Sequence, residues 1–180
     1  MPSTEWRNAM SKTGPGPIVS SAHLASGALP GLSEVEFGMI LAMHGFSRWM
    51  VRCMTAAGVE GLGPLDVLVL HSVNHRGRAK TLADICLVLN VEDTHTVVYA
   101  LKKLERASLI RSGRKGKEKT VEITAEGEAA CAAYREIREA LLVPSVANTG
   151  HSAEALTRTA ALLRELAGQY DQAARSAASL

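Results

Sequence analysis

The stretch from Thr81 to Thr124, TLADICLVLNVEDTHTVVYALKKLERASLIRSGRKGKEKTVEIT, restricts what this chain can fold into more than any other. Thr81 can cap a helix because its hydroxyl takes a free backbone N–H, and Asp84 stands where a capping box needs an acid. Leu82, Ile85, Cys86 and Leu89 then recur at helical spacing, so one face of that helix is buried. Asn90 falls where the chain must turn sharply, and Asn tolerates the left-handed conformation better than most residues. Val91 plugs the angle between this helix and the next. Glu92 and Asp93 start that next helix with the charge its N-terminal end favours.

The second helix is predicted from about Asp93 to Ala107. Val97, Ala100, Leu101 and Leu104 form its inward stripe. Thr94, His95, Thr96, Tyr99, Lys102, Lys103 and Arg106 are left outside or at the flanks, a face suited to base edges and phosphates. Leu109 to Arg111 reads as a strand. Ser112 to Lys117 reads as a turn with two glycines and three cations, Arg114, Lys115 and Lys117. Glu118 to Ile123 alternates polar and apolar, as a half-exposed returning strand does, and Thr124 caps a further helix. This order predicts a mainly α fold with a small β-hairpin wing, a winged helix-turn-helix.

The run from Ile85 through Val97, followed by LKKLERASLIR and VEITAEGEAA, resembles the MarR family of winged helix-turn-helix transcriptional regulators. In that family's pattern a leucine- and alanine-rich helix, a "TV" recognition helix, an "LE..GLI.R" junction, a wing and "LT..G" follow in order. The resemblance covers roughly Leu32 to Leu180. Three positions depart from it: Ala107-Ser108 replaces the usual glycine junction, GRKGKEK replaces the acid-then-arginine wing tip, and Val98-Tyr99 replaces a frequent threonine–arginine pair. The resemblance implies terminal helices that interlock two chains, and often a small anionic effector held between the long helices and the winged module.

The distribution of charge says more than its total. Residues 76–119 carry eleven Lys and Arg against five Asp and Glu, an excess of six positive charges, while the rest carries nine against thirteen. A basic winged segment on a mildly acidic body is the footprint expected of a protein that meets phosphate. Three widely spaced cysteines, Cys53, Cys86 and Cys131, form neither a paired framework nor a CxxC site, which suggests a reducing compartment. No apolar run reaches membrane-spanning length, and the N-terminus lacks the order of a signal peptide. A cytoplasmic protein with no membrane contact is expected.

Residues 1–32 read as a mobile N-terminal tail, and 33–180 as a single domain with its winged module at about 64–124. Ser33 and Glu36 have capping-box spacing. The helix predicted at about 33–57 is apolar around much of its girth: Val35, Phe37, Ile40, Leu41, Met43, Phe46, Trp49, Met50 and Met54. It must be buried on more than one side. Pro64 opens a helix that stops near His75. Beyond the wing, helices are expected at about 125–177, with Pro144 as a stop, Asn148-Thr149-Gly150 as a turn, and a last helix carrying Leu156, Ala160, Leu163, Leu166 and Tyr170. The long helices at 33–57 and 125–177 expose more apolar surface than one small core covers, which predicts a homodimer. Two-fold pairing sets two recognition helices one turn of DNA apart, roughly 34 Å, over a pseudo-palindrome.

The expected contacts to double-stranded DNA are Thr94, His95, Thr96, Tyr99, Lys102, Lys103 and Arg106 on the helix and Arg114, Lys115 and Lys117 on the wing. Met43, Phe46, Trp49 and Met50 are the candidate lining of an effector cleft, with Arg48 or Arg52 to meet an acid. His71 and His75 are four apart on one helix, a spacing that suits a metal, but no acid or cysteine at close spacing joins them. No metal, cofactor or catalytic residue is assigned, because no nucleophile–base order, phosphate loop or paired carboxylates occur. The alternative to a ligand-responsive repressor is a winged-helix module that binds protein and does not read DNA.

Overall fold

Thr81 accepts the Asp84 N–H at 3.1 Å while the Asp84 carboxylate accepts the Thr81 N–H at 2.9 Å, so the reciprocal cap read from the sequence forms. These bonds hold the Asp84 carboxyl below the usual carboxylate range. The structure, a computed structural model, describes residues 28–180. Most of the tail expected at residues 1–32 therefore lies outside the described residues. The chain divides into two compact units, Met1–Arg52 and Cys53–Leu180.

In the first unit most of α1 (Pro30–Ala56) is found. It begins at Pro30, so Ser33 and Glu36 lie within the helix and do not cap it. Pro30 fits a first turn because its φ is fixed and its missing N–H is not needed there. Ile40, Leu41, Met43 and Phe46 stay exposed on this helix.

The second unit begins with the last residues of α1 and continues through α2 (Pro64–Asn74), a 3-10 turn (His75–Gly77), α3 (Leu82–Leu89) and α4 (Thr94–Arg106). It then runs through β1 (Ile110–Lys115), β2 (Glu118–Ile123), α5 (Ala125–Ile137), a π turn (Arg138–Leu142), α6 (Val143–Ala147) and α7 (Ala153–Ala177). Asn90 takes the left-handed conformation at φ 52° and closes α3, as its position predicts. Asp93 is the N-cap of α4, accepting the His95 N–H at 3.0 Å. The core is Met54, Val67, Leu70, Val73, Ile85, Val97 and Leu104, all fully buried, so α2, α3 and α4 pack by the faces their periodicity marks.

The strands pair antiparallel with Ser112 opposite Val121 and Lys115 opposite Glu118. Only Gly116 serves the turn: its φ is 63°, the sign a two-residue hairpin demands of its first central residue. Gly113, expected in the turn, lies within β1 opposite Thr120. Lys80 exchanges both backbone hydrogen bonds with Val121, at 3.0 and 2.8 Å, as an isolated bridge on the far side of β2. Its ammonium, nearly buried, donates to the His75 carbonyl at 2.6 Å and closes the 3-10 turn.

Thr124 ties the wing to the helices. Its hydroxyl donates to the Ser108 carbonyl at 2.8 Å and accepts the Gly127 N–H at 3.0 Å, while its own N–H reaches the Leu109 carbonyl at 3.1 Å. Ser108 takes φ 60°, the left-handed conformation, at the junction where the family pattern has glycine. A non-glycine residue there costs about 1 kcal/mol, partly offset by the smaller entropy a serine loses on folding. Ser108→Gly is therefore expected to raise the melting temperature by about 1–2 °C, about 0.5 kcal/mol in thermal unfolding. A fall in melting temperature would show that Ser108 is not strained.

Pro144 does not stop the helix. The turn before it widens, so that the Val143 N–H bonds to the Arg138 carbonyl five residues back, and Pro144 sits in the first turn of α6. The wider turn removes the clash between a proline ring and the carbonyl four residues earlier. Asn148 to Gly150 then turns the chain, and Ser152 caps α7 by accepting the Ala155 N–H at 3.1 Å. No residue of α7 is buried, and Leu156, Leu162 and Leu163 remain open to solvent.

Candidate nucleic-acid interface

Helix α4 presents two unlike faces, because Val97, Ala100 and Leu104 take the inner one. Thr94, His95, Thr96, Tyr99, Lys102 and Arg106 are exposed on the other. Asp93 caps the start through its side chain and its carbonyl also accepts the Thr96 hydroxyl at 2.7 Å, so the first turn is held firmly. Tyr99 stands 71% exposed with the Lys102 ammonium 5.9 Å from its ring centroid. An exposed aromatic carrying a cation offers a base edge or sugar a flat apolar contact, and a phosphate an ionic one.

Lys103, the remaining cation expected on this face, makes an ion pair within the module. Its ammonium lies 2.7 Å from the Asp66 carboxylate of α2, which also accepts the Gly63 N–H at 2.7 Å. It braces α2 against α4 while its side chain stays 40% exposed, beside the fully outward cations Lys102 and Arg106. Arg106 Nε returns to the Lys102 carbonyl at 3.2 Å and satisfies a carbonyl of the last turn.

At the wing, Arg114, Lys115 and Lys117 are all exposed around the Gly116 turn. Arg111 and Glu122 pair across the strands at 2.9 Å. The hairpin therefore carries an ion pair at its base and, with Glu118 facing Lys115 across the strands, an excess of cations at its tip. Between α4 and the wing lies a concavity of about 270 Å³. Its apolar walls come from Leu82, Val98, Leu101, Ile110 and Val121, and its charged lining is Lys80, Lys102, Lys119 and Glu105. Sequence reasoning did not find this space, because its walls come from segments whose approach depends on the Lys80–Val121 pairing.

Of the residues expected to line an effector cleft on α1, Met50 is buried, Met43 and Phe46 are exposed at 59% and 52%, and Arg48 and Arg52 are exposed. Trp49 keeps its indole Nε1 buried with no hydrogen-bond partner among the described residues.

The two histidines part company. His71 packs its ring edge-on to Tyr134 at 4.7 Å, and burial holds its pKa below the usual histidine value. His75 lies beyond the end of α2 in the 3-10 turn. Among the described residues no three metal-ligating side chains gather. Cys53 donates to the Tyr134 carbonyl at 3.5 Å, and burial raises its pKa. Burial likewise pushes Cys131 up to about 11. Both shifts oppose the thiolate character that a redox-sensing cysteine needs.

Residues 62–127 match the family model described as the winged helix DNA-binding domain. No curated protein matches the sequence at significance. Among solved structures, a mutant MarR from E. coli complexed with operator DNA is similar at a TM-score of 0.62 and 14% identity, covering 78% of this chain and 99% of that one. A MarR family regulator from Neisseria meningitidis is similar at 0.60 and 19%, covering 79% and 95%. The S. aureus MepR–DNA complex is similar at 0.59 and 18%, covering 75% and 95%. The architecture is thus a winged helix-turn-helix, a predominantly helical unit with one two-stranded hairpin. Within that class its fold is the one seen in the MarR family regulators.

Proposed function

We propose that this protein is a sequence-specific, double-stranded DNA-binding transcriptional regulator that acts as a homodimer and represses by occupying a promoter. The observation that carries the reading is the joint presentation of α4 and the cationic wing on one compact unit. Thr94, His95, Thr96 and Tyr99 meet base edges in the major groove, Lys102 and Arg106 meet the flanking phosphates, and Arg114, Lys115 and Lys117 grip the backbone beyond. Two solved MarR-type relatives of this fold are complexes with DNA, one of them with operator DNA, which supports the same use here.

Dimerisation is supported by apolar side chains that the chain itself leaves open. These are Ile40, Leu41, Met43 and Phe46 on α1, and Leu156, Leu162 and Leu163 on α7. A second copy buries them and sets the two reading helices over a pseudo-palindromic operator. Response to a small molecule is supported by the concavity beside α4, whose apolar walls and mixed charges suit a compact, partly apolar molecule. Met43, Phe46, Arg48, Trp49, Met50 and Arg52 on α1 are the second candidate lining. A ligand that binds one spacing of the reading heads better than another shifts occupancy of the operator. No helix of the described residues is long and apolar enough to cross a membrane. The reading needs no catalytic residue, metal or cofactor and places the protein in the cytoplasm with the DNA.

Titration of labelled duplex carrying the gene's own upstream region, beside random duplex, tests this over a range of salt. Tight binding of a fragment of that region, with weaker and steeply salt-dependent binding of random duplex, is the expected result. Failure to bind any duplex at low salt overturns the reading and favours a protein-binding winged helix.

A further inference from the structure

Val121 exchanges its N–H and its carbonyl with Lys80 on one side of β2. The Ser112–Val121 pair on the other side is therefore a non-hydrogen-bonded pair, and the Ser112 N–H points away from β2 towards the open edge of the sheet. That N–H is not left to solvent. It donates to Glu105 Oε1 at 3.1 Å, from the last turn of α4. Two residues earlier on the same helix, Lys103 is braced against Asp66 of α2 at 2.7 Å. Helix α4 is thus tied at its end to the scaffold by one side chain and to the wing by another. Glu105 is exposed, so burial does not account for a carboxylate among the cations of this segment.

We propose that Glu105 is a positioning residue, whose carboxylate locks the first strand of the wing to the end of the reading helix and so fixes where the wing cations meet the backbone. This rests on the DNA-binding reading given above. Without the tie, the hairpin keeps its own pairing and its Lys80 bridge but pivots about its base. Arg114, Lys115 and Lys117 then spend part of their time off the phosphates.

The test compares Glu105→Ala with Glu105→Gln, since both remove the charge and only the amide keeps an oxygen for the Ser112 N–H. Duplex from the upstream region is titrated at several salt concentrations with each full-length variant. Glu105→Ala is expected to flatten the slope of log K against log salt by about 2 for the dimer and to weaken binding roughly fiftyfold at ~0.1 M salt, as leaving one phosphate per protomer unneutralised does. Glu105→Gln is expected to keep the wild-type slope, and amide exchange at Ser112 to quicken in the Ala variant alone. Combined with Ala at all three wing-tip cations, Glu105→Ala is expected to add nothing further. Equal slopes for the Ala and Gln variants, or additivity with the wing-tip substitutions, overturns the proposal while leaving DNA binding standing. Wild-type protein that binds no duplex overturns the functional reading itself, and the positioning role with it.

Discussion

Replacing Arg114, Lys115 and Lys117 together with Ala is expected to flatten the salt dependence of DNA binding by up to about 0.9 for each phosphate left unneutralised, close to three per protomer. Because this electrostatic contribution fades towards ~1 M salt, the same change weakens binding roughly a hundredfold or more at ~0.1 M. The physical ground is the arrangement of charge on the hairpin. Arg111 is neutralised by Glu122 at the base, whereas the three tip cations are exposed around Gly116. The folded state should hardly notice, since substitutions at exposed sites usually stay within about 0.5 kcal/mol. Anisotropy titrations at four or five salt concentrations measure the slope directly. A triple variant with the wild-type slope would show that the wing tip never meets phosphate.

Gly127→Ala is expected to be the most damaging single substitution for stability. A Cβ at this position would stand 2.1 Å from the Leu109 carbonyl oxygen and 2.6 Å from Ile123 Cδ1. The first of these is backbone, held in turn by the Thr124 N–H at 3.1 Å, so it cannot swing aside as a side chain does. Relief requires α5 to lift from the base of the wing, at a cost of about 3–5 kcal/mol, or a melting temperature lower by roughly 10 °C. Thermal unfolding followed by circular dichroism measures it, and a melting temperature within 2–3 °C of wild type, about 1 kcal/mol, would sink the argument. Gly127 takes no positive φ. Its requirement is space and not backbone freedom.

What the sequence discloses and what it withholds divide along the range of the interaction. Thr81 with Asp84, Asn90 at the turn, Asp93 ahead of α4 and Thr124 ahead of α5 each act within a few residues, and each stands where spacing places it. The outward face of α4 was legible for the same reason, since the inner stripe fixes the remainder. Lys103 was not, because its partner Asp66 lies 37 positions away and only packing of α2 on α4 brings them together. The Ser112 N–H reached by Glu105 was equally hidden, because its direction depends on which side of β2 Lys80 pairs. Local signals also misled where two competed. Ser33 and Glu36 have the spacing of a cap, but Pro30 starts the helix a turn earlier. Pro144 has the look of a stop, and the chain instead changes its winding ahead of it.

That change of winding has a sequel for anyone comparing or redesigning this chain. A turn closed over five residues holds about one more residue than its α-helical counterpart, so α6 is out of phase by roughly 100° with α5, which precedes it. Removing one residue from 138–142 would leave composition and length almost untouched, yet would swing α6 and the turn at Asn148 about a quarter of a revolution around the incoming axis. The direction in which the chain leaves α6 is thus written by a single surplus position.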